Sequence, residues 1–320
     1  MNILLVGLGG MGVTHFRNYE YVEGARVTAV CGKTDTDRAR AAEWGVPMYG
    51  SITEACEKAE VDLVDVCVPT WLHKPMVLEA AACGRHIICE KPAALNRADA
   101  EEMYAAADRA GVQLYIAQVL QFTKEVEVLR NVTFSGRYGK PLDACFERLS
   151  ACPGWSEDSW LLDREKSGLL PFDLHIHDLD LIVTLFGKPD EVSYTACGGE
   201  KPFREQYRFR YGYRGGPTVC AEAAWFNAAI PFTARWRVYY EHGMLICDEH
   251  GVNGYDANGT ATAFDVTDPV QVDSGCNLPP TGWFYHELTH LTGCAAKGEP
   301  SPLVPRERIL DVLGVLESLK

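Results

Sequence analysis

The 320-residue chain predicts an α/β fold: an N-terminal doubly wound parallel sheet, then a C-terminal α+β domain with a large open, mostly antiparallel sheet. Three observations carry this expectation. The first half alternates continuous apolar runs with helical patterns, as strands buried on both faces require. A glycine-rich turn directly follows the first apolar run. The second half repeats strand patterns with few helices between them.

Residues 2–6 (NILLV) read as a strand, followed by glycines and a helix to about Tyr21. Residues 26–31 (RVTAVC) are the next strand, and its helix ends near Trp44–Gly45. Residues 62–68 and 86–89 are further strands, with the helix HKPMVLEAAACG between them and Gly84 as its stop. ADAEEMYAAADRAG forms a helix closed by Gly111, and QLYIA follows as a strand.

A helix around 122–131 leads to the strand LDACFERLSA and a Trp-, Pro- and Ser-containing loop. The next helix ends at Phe186–Gly187. In YRFRYGYR, Tyr207, Phe209, Tyr211 and Tyr213 fall on one strand face and the arginines on the other. Helices over 282–297 and 305–319 close the chain. The spacing divides it into 1–120 and 121–320, with the C-terminal helix able to pack back on the first part.

Composition excludes several classes. The chain is 47% hydrophobic and 23% charged, as a soluble protein with a sizeable core should be. A net charge of −14 argues against nucleic acid or an anionic membrane as the main partner. No apolar run reaches the roughly 18 residues that span a bilayer. The first residues lack a basic n-region and a cleavage site, so the expectation is a cytoplasmic protein. None of the 12 cysteines forms a C-x-x-C pair, so they read as reduced thiols.

The turn Gly7-Leu8-Gly9-Gly10-Met11-Gly12 matches G-x-G-x-x-G between a strand and a helix, the context of a dinucleotide site. Gly7 permits the turn, Gly9 lets a pyrophosphate approach, and Gly12 lets the helix pack on the strand. Sites selective for NAD(H) place a carboxylate at the end of the second strand. Here Gly32, Lys33 and Thr34 stand there, with Arg38 one helical turn on. Lys33 can neutralise a 2′-phosphate and Thr34 can hydrogen-bond it. The expectation is NADP(H), with NAD(H) the alternative; Asp35 nearby complicates the pattern.

Two further loops follow parallel strands. VPTWLHKP contributes Pro69, Thr70 and His73, and CEKP contributes Glu90 and Lys91. Ligands bind at such carboxyl ends. Lys91 can bond a substrate hydroxyl and lower its pKa.

These motifs, with Asp173-x-x-x-His177 in the second half, resemble the glucose–fructose oxidoreductase / inositol dehydrogenase family, Gfo/Idh/MocA. The resemblance covers essentially the whole chain. It implies an N-terminal NAD(P)-binding Rossmann domain, a C-terminal substrate-binding and oligomerisation domain, and a homo-dimer or homo-tetramer. It implies reversible oxidation of a secondary alcohol on a sugar, glycoside or cyclitol, carried by Lys91, Asp173 and His177. Relatives with this fold also reduce dihydrodiols and other non-sugar carbonyls, and some bind nucleotide without turnover. The pattern departs at Thr70, where Asn is common, at Gln121, where a basic residue is common, and at His175, where Gly is common.

Histidine suits the proton role because its pKa lies near neutrality. His177 is therefore the expected acid/base, with Asp173 orienting it or the substrate. FDLHIHDLD (172–180) invites a metal reading, but positions two apart do not share a helix face, so no metal is expected. Asp178 and Asp180 read as helix-start charges. His175 reads as a second imidazole in the pocket. Trp71, Trp155, Trp160 and Trp283 are candidate aromatic platforms for a sugar, and Gln118, Gln121, Arg148 and His286 candidate polar contacts.

Overall fold

The computed structural model describes residues 1–276 and 279–319. They form two compact units, Met1–Phe122 with Asp268–Leu310, and Thr123–Thr267 with Asp311 onward.

The first unit runs β1 (Asn2–Val6), α1 (Gly10–Tyr19), β2 (Arg26–Cys31), α2 (Asp35–Trp44), β3 (Met48–Tyr49), α3 (Ile52–Lys58), β4 (Leu63–Val66), α4 (His73–Ala82), β5 (His86–Glu90), α5 (Arg97–Ala110) and β6 (Leu114–Ala117). The sheet order is β3-β2-β1-β4-β5-β6, with every pair parallel. This is the doubly wound arrangement expected, with its switch point between β1 and β4. Ile3, Leu4, Leu5, Leu63, Val64, Ile87 and Ile88 are completely buried. That explains the unbroken apolar runs, each side chain contributing about 1.5–3 kcal/mol of burial. Helix stops follow glycine: Gly45 and Gly111 take left-handed conformations at the ends of α2 and α5. The same unit holds α9 (Trp283–Lys297), whose Leu288, Leu291 and Ala295 pack with Ile3, Leu63, Ile88 and Tyr115.

The second unit runs α6 (Lys124–Ser135), β7 (Pro141–Ala151), α7 (Arg164–Ser167), a π-helical turn over Pro171–His175, α8 (Ile176–Phe186), then β8 (Glu191–Cys197), β9 (Gln206–Gly212), β10 (Thr218–Phe226), β11 (Thr233–Tyr240), β12 (Gly243–Asp248), β13 (Gly251–Asp256) and β14 (Ala261–Phe264). The helix α10 (Arg306–Glu317) follows α9 in the chain. The sheet order is β14-β13-β12-β11-β7-β10-β9-β8. All its pairs are antiparallel except β7 with β10. Tyr207, Phe209 and Tyr211 are buried on one face of β9, while Tyr213 lies beyond the strand end. The opposite face carries ion pairs between neighbouring strands, Arg235 with Glu147, Arg237 with Asp143, and Arg208 with Glu222. No helix among the described residues is long and apolar enough to cross a membrane.

Candidate active site

In the first unit, four segments sit at the carboxyl edge of one parallel sheet. The glycine turn comes first. Gly7 has φ +89°, and a Cβ there would lie 2.9 Å from the Cys67 carbonyl oxygen. A Cβ at Gly12 would lie 2.0 Å from the Gly7 carbonyl oxygen, so only glycine lets α1 press so close. A Cβ at Gly9 or Gly10 would meet nothing within 4 Å. No side chain caps the start of α1, and no acidic residue occupies its first turn. Its orphan amides and positive dipole end therefore suit a pyrophosphate. Leu8 is buried, and its carbonyl accepts from the Arg40 guanidinium; Met11 is half-buried.

The turn after β2 has an organiser that its sequence signals only as a helix cap. The Thr34 hydroxyl accepts from the Asp37 amide at 3.0 Å, and Asp37 Oδ2 accepts from the Lys33 and Thr34 amides at 2.9 Å each. Partial burial opposes ionisation of Asp37, but the Thr34 and Lys33 amides hold its carboxyl below the usual range. A Cβ at Gly32 would lie 2.5 Å from Asp37 Cβ, which is why glycine precedes Lys33. Arg38 pairs with Asp35 at 3.1 Å on the exposed side of α2.

The loops after β4 and β5 are joined by His73, the first residue of α4. Its Nδ1 lies 2.8 Å from the Pro92 carbonyl oxygen and its Nε2 2.8 Å from that of Val68. The ring is buried, and desolvation pushes its pKa down against those carbonyls. Both nitrogens face loop carbonyls, so His73 ties the two loops together and does not offer a cofactor contact. Pro69 precedes the turn Thr70–Leu72, and Thr70 is buried. The Lys91–Pro92 peptide is cis, and Lys91 is half-buried. Glu90 turns inward: its Oε2 accepts from the Lys91 amide at 2.9 Å.

In the second unit, the opening of α8 sorts the five ionisable residues of FDLHIHDLD. Asp173 and His177 are partly exposed, whereas His175, Asp178 and Asp180 are buried. The π turn ends at His175, so Asp173 lies within that turn and His177 in the first turn of α8.

His175 is not a pocket residue. Its ring stacks on Phe209 at 3.9 Å between centroids, and its Nε2 lies 2.5 Å from the Tyr211 hydroxyl. Burial, helped by the Arg148 charge, pushes its pKa down to about 3. Between that value and the ordinary 6.5, an unfolded chain binds a proton that the folded one refuses. Stability is thus complete above about pH 6.5 and is lost as pH falls toward 3, by at most about 1.4 kcal/mol per pH unit from this group. Urea midpoints measured between pH 4 and 7 should show that slope, and His175→Phe should flatten it. An unchanged slope would show that the ring titrates normally.

Asp178 is likewise not a helix-start charge. It forms a two-pronged pair with Arg148 of β7, Nε to Oδ2 at 3.1 Å and Nη2 to Oδ1 at 2.8 Å. Burial pushes the Asp178 carboxyl up, against the pull of Arg148. Arg148 is therefore committed to the fold and not to a substrate contact. Asp180 is 1% exposed, so it too is no solvated helix-start charge.

The remaining candidates divide. Trp71 and Trp155 are exposed, and Trp160 and Trp283 are half-buried. Gln118 and Gln121 are buried. His286 lies on α9 and bonds Asp268 at 2.9 Å, so its Nε2 is engaged. The residues missed by sequence reasoning are Asp37, His15, Asp65 and Glu287; only the spacing of Thr34 and Asp37 announced any of them.

A doubly wound parallel sheet whose first strand runs through a glycine turn into a helix defines the class of a Rossmann-type fold. Residues 1–118 match the family described as "Oxidoreductase family, NAD-binding Rossmann fold", and residues 126–246 match "GFO/IDH/MocA C-terminal domain". The chain belongs to the Gfo/Idh/MocA family.

It is similar to 2,7-anhydro-N-acetylneuraminate hydratase of Mediterraneibacter gnavus, 34% identical over 60% of this chain and 51% of that protein. The chain thus matches about half the length of that relative. It is 28% identical to inositol 2-dehydrogenase 2 of Paenarthrobacter aurescens, over 81% of this chain and 79% of the other. Its fold resembles that of levoglucosan dehydrogenase in complex with NADH and levoglucosan, at a TM-score of 0.84 and 16% identity, covering 99% of this chain and 95% of the other.

Proposed function

We propose that this protein is a nicotinamide-dependent oxidoreductase that interconverts a secondary alcohol and a ketone on a sugar, glycoside or cyclitol. One observation carries the reading. Of the five ionisable residues in FDLHIHDLD, only Asp173 and His177 keep partial exposure, four apart at a helix entrance. The names of an inositol dehydrogenase and a levoglucosan dehydrogenase among similar proteins support the substrate class.

The bound nicotinamide would supply the hydride acceptor or donor. The chain's residues do the rest. His177 takes the hydroxyl proton at Nε2, since its Nδ1 is buried. Lys91 would donate a hydrogen bond to a substrate oxygen and stabilise a developing alkoxide. Asp173 orients the hydroxyl or the imidazole. In reduction each proton moves the other way.

The cofactor preference is NADP(H). The residues that directly follow β2 are Gly32, Lys33 and Thr34, and the Asp37 carboxylate that packs against this turn has its Oδ2 engaged by the Lys33 and Thr34 amides. Lys33 remains the cation available for a 2′-phosphate. A panel of sugars, glycosides and cyclitols with NADP+ and NADPH, repeated with NAD+ and NADH, tests both claims. The expected result is turnover on at least one polyol, with kcat/KM at least about tenfold higher for NADP(H), the value of one well-placed charge contact. Faster turnover with NAD(H) would refute the preference. Nucleotide binding without any turnover would refute the enzyme.

The hydratase name of one relative motivates a second reading, a net reaction in which no reduced nicotinamide accumulates. Product analysis by NMR alongside absorbance separates the two. The family resemblance also supports a homo-dimer or homo-tetramer, which sedimentation would measure.

A further inference from the structure

Behind the Glu90–Lys91 loop lies a group of buried ionisable side chains that the proposed chemistry does not use. At its centre is His15 of α1, completely buried. Its Nδ1 lies 2.8 Å from Asp65 Oδ2 at the end of β4, and its Nε2 lies 3.1 Å from Glu90 Oε1 at the end of β5. An ionised carboxylate only accepts hydrogen bonds, so satisfying both contacts places a proton on each ring nitrogen. Burial opposes that charge, but the Asp65 carboxylate and Cys67 outweigh it and raise the His15 pKa.

Tyr19, one turn further along α1, donates to the same Asp65 Oδ2 at 3.0 Å. The Cys67 sulfur lies 3.3 Å from His15 Nδ1. From α9, Glu287 is completely buried and neither carboxylate oxygen has a hydrogen-bond partner. Burial, reinforced by Glu90 and Asp65, pushes its carboxyl well above the usual carboxylate range. Phe284, one turn before it, tilts against the His15 ring at 5.9 Å between centroids.

His15, Asp65 and Cys67 also lie close enough for a metal, their ligand atoms all within 4.8 Å of one another. The short contacts favour hydrogen bonds over metal ligation. His15 Nδ1 sits at ordinary hydrogen-bond distance from Asp65, with its other nitrogen on a second carboxylate.

The consequence lies in Glu90. One of its oxygens holds His15, and the other accepts the Lys91 amide at 2.9 Å. A continuous chain of hydrogen bonds therefore runs from the helix that opens at the glycine turn, through one imidazolium, to the backbone of Lys91. We infer that His15 is a positioning residue for Lys91. It sets the lysine loop against the cofactor-binding helix through Glu90, with Asp65 and Tyr19 fixing the ring. The inference rests on the reading that Lys91 contacts substrate.

The test uses His15→Gln and Glu90→Gln in the full chain, with lysines reductively 13C-methylated and the Lys91 signal assigned by Lys91→Arg. In both variants the Lys91 signal should shift or split in the absence of any substrate. On the substrate found in the panel, kcat should fall about 10²-fold, the cost of misplacing a reacting group by about 1 Å, with KM for that substrate little changed. Glu90→Gln keeps the side-chain shape and an oxygen for the Lys91 amide, so it reports even where His15→Gln does not fold. Unchanged Lys91 signals and unchanged kcat in folded variants would overturn the inference. Full activity of Lys91→Met would instead overturn the reading of Lys91, and the signal of the methylated lysine would still decide whether His15 positions it.

Discussion

His177→Ala is expected to lower kcat by about 10²–10⁴-fold, the usual contribution of a placed acid/base group, with cofactor affinity unchanged. Burial separates two imidazoles only two residues apart. His175 is held neutral between Phe209 and Tyr211, with its pKa pushed down to about 3, so it neither reaches solvent nor titrates near neutral pH. His177 is partly exposed on the next turn. The pH profile gives a second readout. Oxidation by the unaltered chain should lose rate toward acid pH, because a histidine base becomes protonated there. That limb should vanish in His177→Ala and persist in His175→Phe. An alanine variant with full activity, or a limb that survives it, would remove His177 from the chemistry and leave Asp173 or Lys91 as the proton acceptor.

Much of this fold was legible in the sequence because its signals are local. NILLV followed by G-x-G-x-x-G states a buried strand, a turn and a helix within a dozen residues, and the steric reason is visible in Gly12 against Gly7. Asp173 and His177, four residues apart, both keep partial exposure. What could not be read were partners far along the chain. Asp178 looked like a helix-start charge because its partner Arg148 is 30 positions earlier, on the strand beneath. His175 looked like a pocket residue because Tyr211, 36 positions later, is what claims it. His15 stood in plain view after the glycine turn, but Asp65 and Glu90 lie 50 and 75 positions away. In each case hydrophobic periodicity correctly placed the element, while the burial of an ionisable side chain depended on a long-range match that periodicity does not encode.

Arg148→Leu should destabilise the protein by about 3–5 kcal/mol, because it leaves the Asp178 carboxylate buried without its counter-charge. Both members are almost fully buried, at 7% and 1% exposure, so solvent cannot take over the lost bonds. Burial already pushes the Asp178 carboxyl up, and without Arg148 it should take up a proton on folding. The variant's deficit should therefore shrink as pH is lowered through the carboxylate range, the opposite of a cavity effect, which is independent of pH. Arg148→Leu/Asp178→Leu should recover most of the loss, since an apolar pair of similar volume carries no desolvation cost. Urea denaturation of the single and double variants measures both quantities. A single variant within 1 kcal/mol of the parent, or a double variant no better than the single, would show that the pair is not what anchors α8 to β7. The location of the pair makes the measurement informative about chemistry as well as stability. Asp178 directly follows His177, so a loosened clamp should lower kcat in the single variant and restore it, at least partly, in the double.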